Sequence, residues 1–227
     1  MGAVFVIALL WIAFGGTHVG LSGPNVRPRL VGRLGEQVYK GFYSLVAFAT
    51  LVPLVWTFST HKHAGPSLWA TLGPPLAVEA LSYVIMGLAL VLFACSLVPG
   101  SSPPSSTLAS GPATVRGIVR VTRHPTFAAF ALFGLAHLLA NGNLGDVIFF
   151  GGFPVFAWIG ARHQDERKAR ERPGYRELIA TTSILPFAAI AAGKQRLAAR
   201  ELPLAGLATG LVLTVVLSAF HGMLFGP

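Results

Sequence analysis

Seven histidines punctuate a chain that is otherwise poor in ionisable groups: His18, His61, His63, His124, His137, His163 and His221. Imidazole can ligate a transition metal or move a proton near neutral pH. His18 and His137 lie inside apolar runs, where an ionisable group is expensive and points to function. Their surroundings match. In a helix, positions i−7, i−4, i−3 and i+4 share a stripe with i. Around His18 these are Trp11, Phe14, Gly15 and Ser22; around His137 they are Phe130, Phe133, Gly134 and Asn141. Aromatic rings pack on a flat, bulky group, and glycine lets such a group approach the backbone. Two neutral imidazoles on facing helices are how bundles hold a b-type haem. The competing reading is that each imidazole hydrogen-bonds a neighbouring helix within an ordinary aromatic core.

The other histidines sit in more polar settings. His61 and His63, in H-K-H, read as a solvated loop, with a loop metal site as the weaker alternative. His163, in A-R-H-Q-D-E-R-K, reads as part of an exposed charge cluster, and His221 as a headgroup-level residue. His124 follows Arg123 and precedes Pro125, which suits the first turn of a helix because it has no N–H to leave unpaired. Arg123 and His124 thus read either as a basic helix entrance or as a pocket for an anion: a haem propionate, a lipid phosphate or a cofactor carboxylate. His124 is a rival to His137 as partner of His18. His137 lies 13 residues, ~20 Å, beyond the entrance of its helix, whereas axial ligands of one iron are only ~4 Å apart. His124 and His137 cannot share one helical face, being ~140° apart around the axis. Glu79 reads as capping the third apolar helix. Cys95 reads as packing, with thiolate ligation of haem as the weaker alternative.

These residues need elements to hold them. Of 227 residues, 53% are hydrophobic and 11% charged, and mean hydropathy is +0.66. A soluble domain carries roughly 25% charged residues, so the composition predicts an all-α polytopic membrane helix bundle. The formal net charge of +9 sits in particular loops rather than in a patch, which argues against nucleic acid. A lone cysteine excludes an internal disulfide. Six apolar segments approach the ~20 residues of a span: 2–22, 39–60, 76–98, 126–140, 147–161 and 202–222. The fourth and fifth are short and joined by N-G-N-L-G, which predicts a helical hairpin. The first reads as a retained span rather than a signal peptide. The Arg- and Lys-rich loops 23–38, 99–124 and 162–201 alternate with base-poor ones, which makes the basic loops cytoplasmic in a bacterial inner membrane. Residues 99–106 read as a flexible link. The half-apolar stretch 176–194 reads as interfacial or re-entrant, with a seventh span left open. The division expected is a membrane domain over 1–195 and a C-terminal transmembrane helix, within 196–227, packed on the same bundle.

Several strings together resemble the NnrU family of bacterial membrane proteins. They are F-G-G-T-H-V-G-L-S from Phe14, V-R-P-R-L-V-G-R-L-G-E from Val26, Y-K-G-F-Y-S-L-V-A from Tyr39, G-I-V-R-V-T-R-H-P from Gly117, L-A-H-L-L-A-N-G from Leu135 and A-T-T-S-I-L-P-F-A-A-I from Ala180. The resemblance covers about residues 1–195 and implies a role in denitrification, beside nitrite or nitric oxide reductase components. The chain is also similar to the 15-cis-zeta-carotene isomerases, haem b membrane enzymes. That similarity implies His18 and His137 as the two iron ligands and catalytic residues, and an apolar polyene substrate drawn from membrane lipid. Arg123 and His124 would hold the polar end of the cofactor. A fainter resemblance, to membrane methyltransferases, rests on Arg123–Pro125 and on Asp165 with Glu166. It implies the alternative of methyl transfer. This chain lacks the tyrosine and glycine that follow R-H-P in those enzymes.

Overall fold

The computed structural model describes residues 1–69, 75–98 and 115–225, so the 99–106 link lies outside the described residues. All described regular structure is helical. The helices are α1 (Gly2–Leu21), α2 (Arg27–Leu34), α3 (Glu36–Thr60), α4 (Pro75–Leu97), α5 (Pro125–Ala140), α6 (Leu144–Glu171), α7 (Tyr175–Thr181), α8 (Ala188–Ala191) and α9 (Leu204–Phe225). Five of them, α1, α3, α4, α6 and α9, are long and apolar enough to cross a membrane. The sixth apolar helix, α5, has 16 residues, or ~24 Å, against a hydrocarbon core of ~30 Å. The all-α membrane bundle expected from composition is therefore the fold.

Helix ends follow local chemistry. Pro125 opens α5 and Pro28 sits in the first turn of α2, where a missing N–H costs nothing. The fifth apolar helix runs ten residues beyond the apolar limit at Ala161, because R-H-Q-D-E-R-K-A-R-E consists of residues tolerated in a helix. It stops just before Pro173 and Gly174, the latter with φ at +75°. Helix α4 begins at Pro75, so Glu79 lies beyond its first turn, exposed rather than capping.

Packing neighbours follow the order α3, α1, α6, α5, α4, α9. Helix α6 is the middle wall. Trp11 of α1 lies over Gly152 of α6 and donates Nε1–H to Phe149 O at 3.1 Å. On the opposite side Gly134 of α5 abuts the backbone carbonyl of Phe150 and the ring of Pro154. Helix α9 seats Gly206 and Gly210 against Cys95 and Val91 of α4, so Cys95 is a packing residue. Small residues at such crossings replace the hydrophobic drive that lipid removes.

Two irregular segments close the ends of the bundle. At the end opposite the Arg-rich loops, Gly145 N–H donates to Ala64 O and Leu68 N–H to Gly142 O, each at 2.8 Å. There His63 is not a free loop residue. Its backbone N–H and its Nδ1–H both reach the carboxylate of Asp146, at 3.1 and 2.8 Å, and Asp146 is fully buried. At the basic end, residues 175–193 fold into α7 and α8, both too short to span. They re-enter against 121–123: Arg123 N–H donates to Ser183 O and Phe187 N–H to Val121 O.

The Gly152 contact predicts a mutational asymmetry. A Cβ at Gly152 would collide with the Trp11 indole, whereas one at Gly16 meets nothing within 4 Å. Gly152→Ala should cost about 1–3 kcal/mol, read as a lowered melting temperature in detergent, and Gly16→Ala should be neutral or slightly stabilising.

Candidate functional site

His18 lies on the inner face of α1, one turn before its C-terminus. Its ring is boxed by Phe14, Tyr43 and Phe156, at centroid distances of 5.3, 4.7 and 5.4 Å. Its carbonyl is held by Ser22 Oγ–H at 2.8 Å and by the Tyr43 hydroxyl at 3.2 Å. Its Nδ1 is buried and has no hydrogen-bond partner. Beside it is a cavity of about 400 Å³, within the range of cofactor and small-molecule sites. Phe127, Phe156 and Gly160 form its apolar wall, and His163, Gln164 and Tyr43 add polar groups. Arg27, Lys40, Glu36 and Arg167 also line it. His163 is therefore not a solvated cluster residue. Its Nε2–H points to Ser22 O at 3.2 Å, and the ring lines the cavity.

His137 occupies a different level. Its Nδ1–H donates to Phe133 O at 2.8 Å, which leaves Nε2 as the bare lone pair. The ring stacks on Phe150 at 4.5 Å and lies 6.3 Å from that of His221. His18 thus rests on Phe156 and His137 on Phe150, six residues or ~9 Å apart along α6. The twin stripes have a shared cause in part: Trp11, Phe14 and His18 of α1, and Phe133, Gly134 and His137 of α5, pack on α6, whereas Phe130 faces Phe93 of α4. Gly134, read as room for a flat ligand, is filled by the α6 backbone, while Gly15 meets Phe156 at ordinary contact distance.

Arg123 and His124 do find an anion, but it belongs to the chain itself. Arg123 donates from Nε and Nη2 to Asp165 Oδ2 at 2.9 and 2.7 Å, and from Nη1 to Thr182 O at 2.9 Å. His124 Nε2–H reaches Asp165 Oδ1 at 2.8 Å, and the Tyr175 hydroxyl reaches the same oxygen at 3.1 Å. His124 and Tyr175 are almost completely buried. Burial holds the His124 imidazolium below its ordinary pKa despite the carboxylate, and burial pushes the Tyr175 hydroxyl up. Glu166, grouped with Asp165 in the sequence, is exposed. Lys168, two residues on, is instead buried and donates to Gln164 Oε1 at 2.8 Å. Sequence reasoning passed over Lys168, Tyr43 and Arg167. A signal for His163 was present, since Phe156, Gly160 and His163 fall on one helical face at i, i+4 and i+7.

Among the described residues no group of three or more His, Cys, Asp or Glu is placed to hold a bare metal ion. A porphyrin brings four nitrogens of its own, so a single imidazole can seat it. His18, with an unpartnered nitrogen in an aromatic wall beside a cavity, fits that demand.

The family described as "NnrU protein" matches residues 6–227. The chain belongs to the NnrU family. This NnrU protein is also similar to the 15-cis-zeta-carotene isomerase, chloroplastic, of Zea mays, 29% identical over 195 residues, covering 85% of this chain and 52% of the relative. The protein of the same name from Arabidopsis thaliana is 26% identical over 193 residues, covering 82% and 50%. The chain therefore spans about half the length of the curated relatives it matches. No solved structure matches it.

Neutralising Asp165 would strand a buried guanidinium. Asp165→Asn should destabilise this NnrU protein by about 3–5 kcal/mol, measured by thermal unfolding in detergent. Arg123→Lys should not restore full stability, because a lysine cannot reproduce the two-nitrogen clasp on one carboxylate oxygen.

Proposed function

We propose that this NnrU-family membrane protein binds haem b in the cavity beside His18 and isomerises an apolar polyene. The observation that carries the reading is the His18 imidazole, boxed by Phe14, Tyr43 and Phe156 at the wall of a cavity of about 400 Å³. The names of the plant relatives support cis–trans isomerisation of a carotene. No observation here favours a non-catalytic role beside a nitrite or nitric oxide reductase. The methyltransferase alternative gains Arg123, His124 and Asp165 as one cluster, but their charges are spent on each other.

Haem held there by His18 would supply a redox-active iron. The chain's own residues do the rest. Ser22 and Tyr43 fix the last turn of α1 through the His18 carbonyl, which orients the imidazole. Phe127 and Phe156 exclude water and offer flat apolar surface to a conjugated chain, while Phe14 packs behind the His18 ring. His137 is the second ligand implied by the isomerases, with Nε2 as its lone pair. In this conformation it rests on Phe150 and His18 rests on Phe156, so of these two imidazoles His18 is the one beside the cavity, where His163 also stands. By the positive-inside rule the cavity opens toward the cytoplasmic face of a bacterial inner membrane.

Purified protein should show a Soret band at one haem per chain. His18→Ala should weaken haem affinity by more than about 100-fold, whereas His137→Ala should alter the band less. An equal loss would mean that α1 and α5 rearrange to share the iron. Absence of haem after reconstitution, together with S-adenosylmethionine binding, would reject the reading. Conversion of 15-cis-zeta-carotene in a carotene-making host, lost in His18→Ala, tests the isomerase step.

A further inference from the structure

The cavity beside His18 has an excess of positive charge at its polar end. Its lining includes three cations, Arg27, Lys40 and Arg167, and one carboxylate, Glu36, a net of two positive charges. Two of the cations share that carboxylate. Arg27 Nη2 donates to both Glu36 oxygens at 2.9 and 3.2 Å, and Lys40 Nζ lies 3.6 Å from Oε1. Arg167 is different. Its Nε is buried without a hydrogen-bond partner, and among the described residues no ion pair involves its guanidinium. It lies near enough to Tyr39 and Tyr43 to act on their hydroxyls electrostatically; on α6 itself Lys168 is of like sign, and Glu166 and Glu171, though of opposite sign, make no ion pair with it among the described residues. A guanidinium with a buried, unsatisfied donor is costly unless an anion completes it. Arg123, the residue whose sequence setting suggested anion binding, is neutralised by Asp165 and does not line the cavity.

We infer that Arg167 is the carboxylate-binding residue of the His18 cavity, clasping a propionate of the bound porphyrin. The inference rests on the haem reading above. A guanidinium fork matches a carboxylate with two parallel N–H···O bonds. The two propionates of haem b also match the net charge of the lining. Arg167 follows His163 by one turn of α6, so it stands at the basic end of the cavity, while Phe127 and Phe156 form its apolar wall.

The test is a Soret titration of the full-length protein in detergent with haem b and with its dimethyl ester, whose propionates carry no charge. Loss of one charge-assisted hydrogen bond predicts that Arg167→Gln weakens haem b binding by about tenfold or more, with the dimethyl ester within about twofold of wild type. Arg167→Lys should recover part of the loss. Equal weakening for both ligands would make Arg167 a packing residue and overturn the inference. Unchanged haem affinity, with anionic lipid lost from the purified Arg167→Gln protein, would assign the guanidinium to a lipid phosphate and overturn it as well. The haem reading itself fails separately, if wild type binds neither ligand or His18→Ala binds both normally.

Discussion

The Asp165 carboxylate is the interaction on which the basic end of this protein depends. It accepts hydrogen bonds from Arg123, His124 and Tyr175, and so ties the start of α5, the end of α6 and the start of α7 into one buried node. An ionised carboxylate in such a place is expensive unless its lone pairs are filled. Here they are filled from three elements at once, with Thr182 O taking a further Arg123 proton. With its end fixed, α6 can serve as a wall for α1 on one side and α5 on the other. The cavity beside His18 is the space left where α1, α3 and α6 converge and Phe127 of α5 meets Gly160.

The node also separates two roles that the R-H-P string combines. A histidine and an arginine at a helix entrance suit an external anion, and the same pair suits an internal one. Burial decides between them, since Arg123 and His124 are 7% and 1% exposed and their partner is within the chain. The charge left over for a ligand in the cavity is the one with no carboxylate of its own, Arg167 in the late turns of α6.

Much of the architecture was legible because lipid imposes a simple rule: backbone polar groups must be satisfied within the segment. Hence each apolar run became a helix near its expected limits. The end of α6 was misjudged because charge marks the edge of hydrocarbon, not the edge of a helix, and nothing before Pro173 breaks the chain. The matched stripes around His18 and His137 were real, but their shared cause, two helices packed on one, needs the third helix to be seen. His63 is exposed, as its loop setting implies, but its pairing with Asp146 was not legible because the two are 83 residues apart. Arg167 was invisible for a similar reason. Its significance lies in what Arg27 and Lys40 have already been given by Glu36, and sequence spacing carries no record of that.

Asp146 and Asp165 stand at opposite ends of the same helix, each buried and each held by groups from other elements. They are 19 residues apart, about 28 Å at 1.5 Å per residue, close to the ~30 Å thickness of a hydrocarbon core. Helix α6 is thus graduated like a ruler, with two fixed marks about one hydrocarbon thickness apart. A bilayer much thinner or thicker than that interval would drag one of the two carboxylates out of register with its partners. The level of the His18 cavity in the membrane is in that sense set by the protein itself, not by the lipid around it.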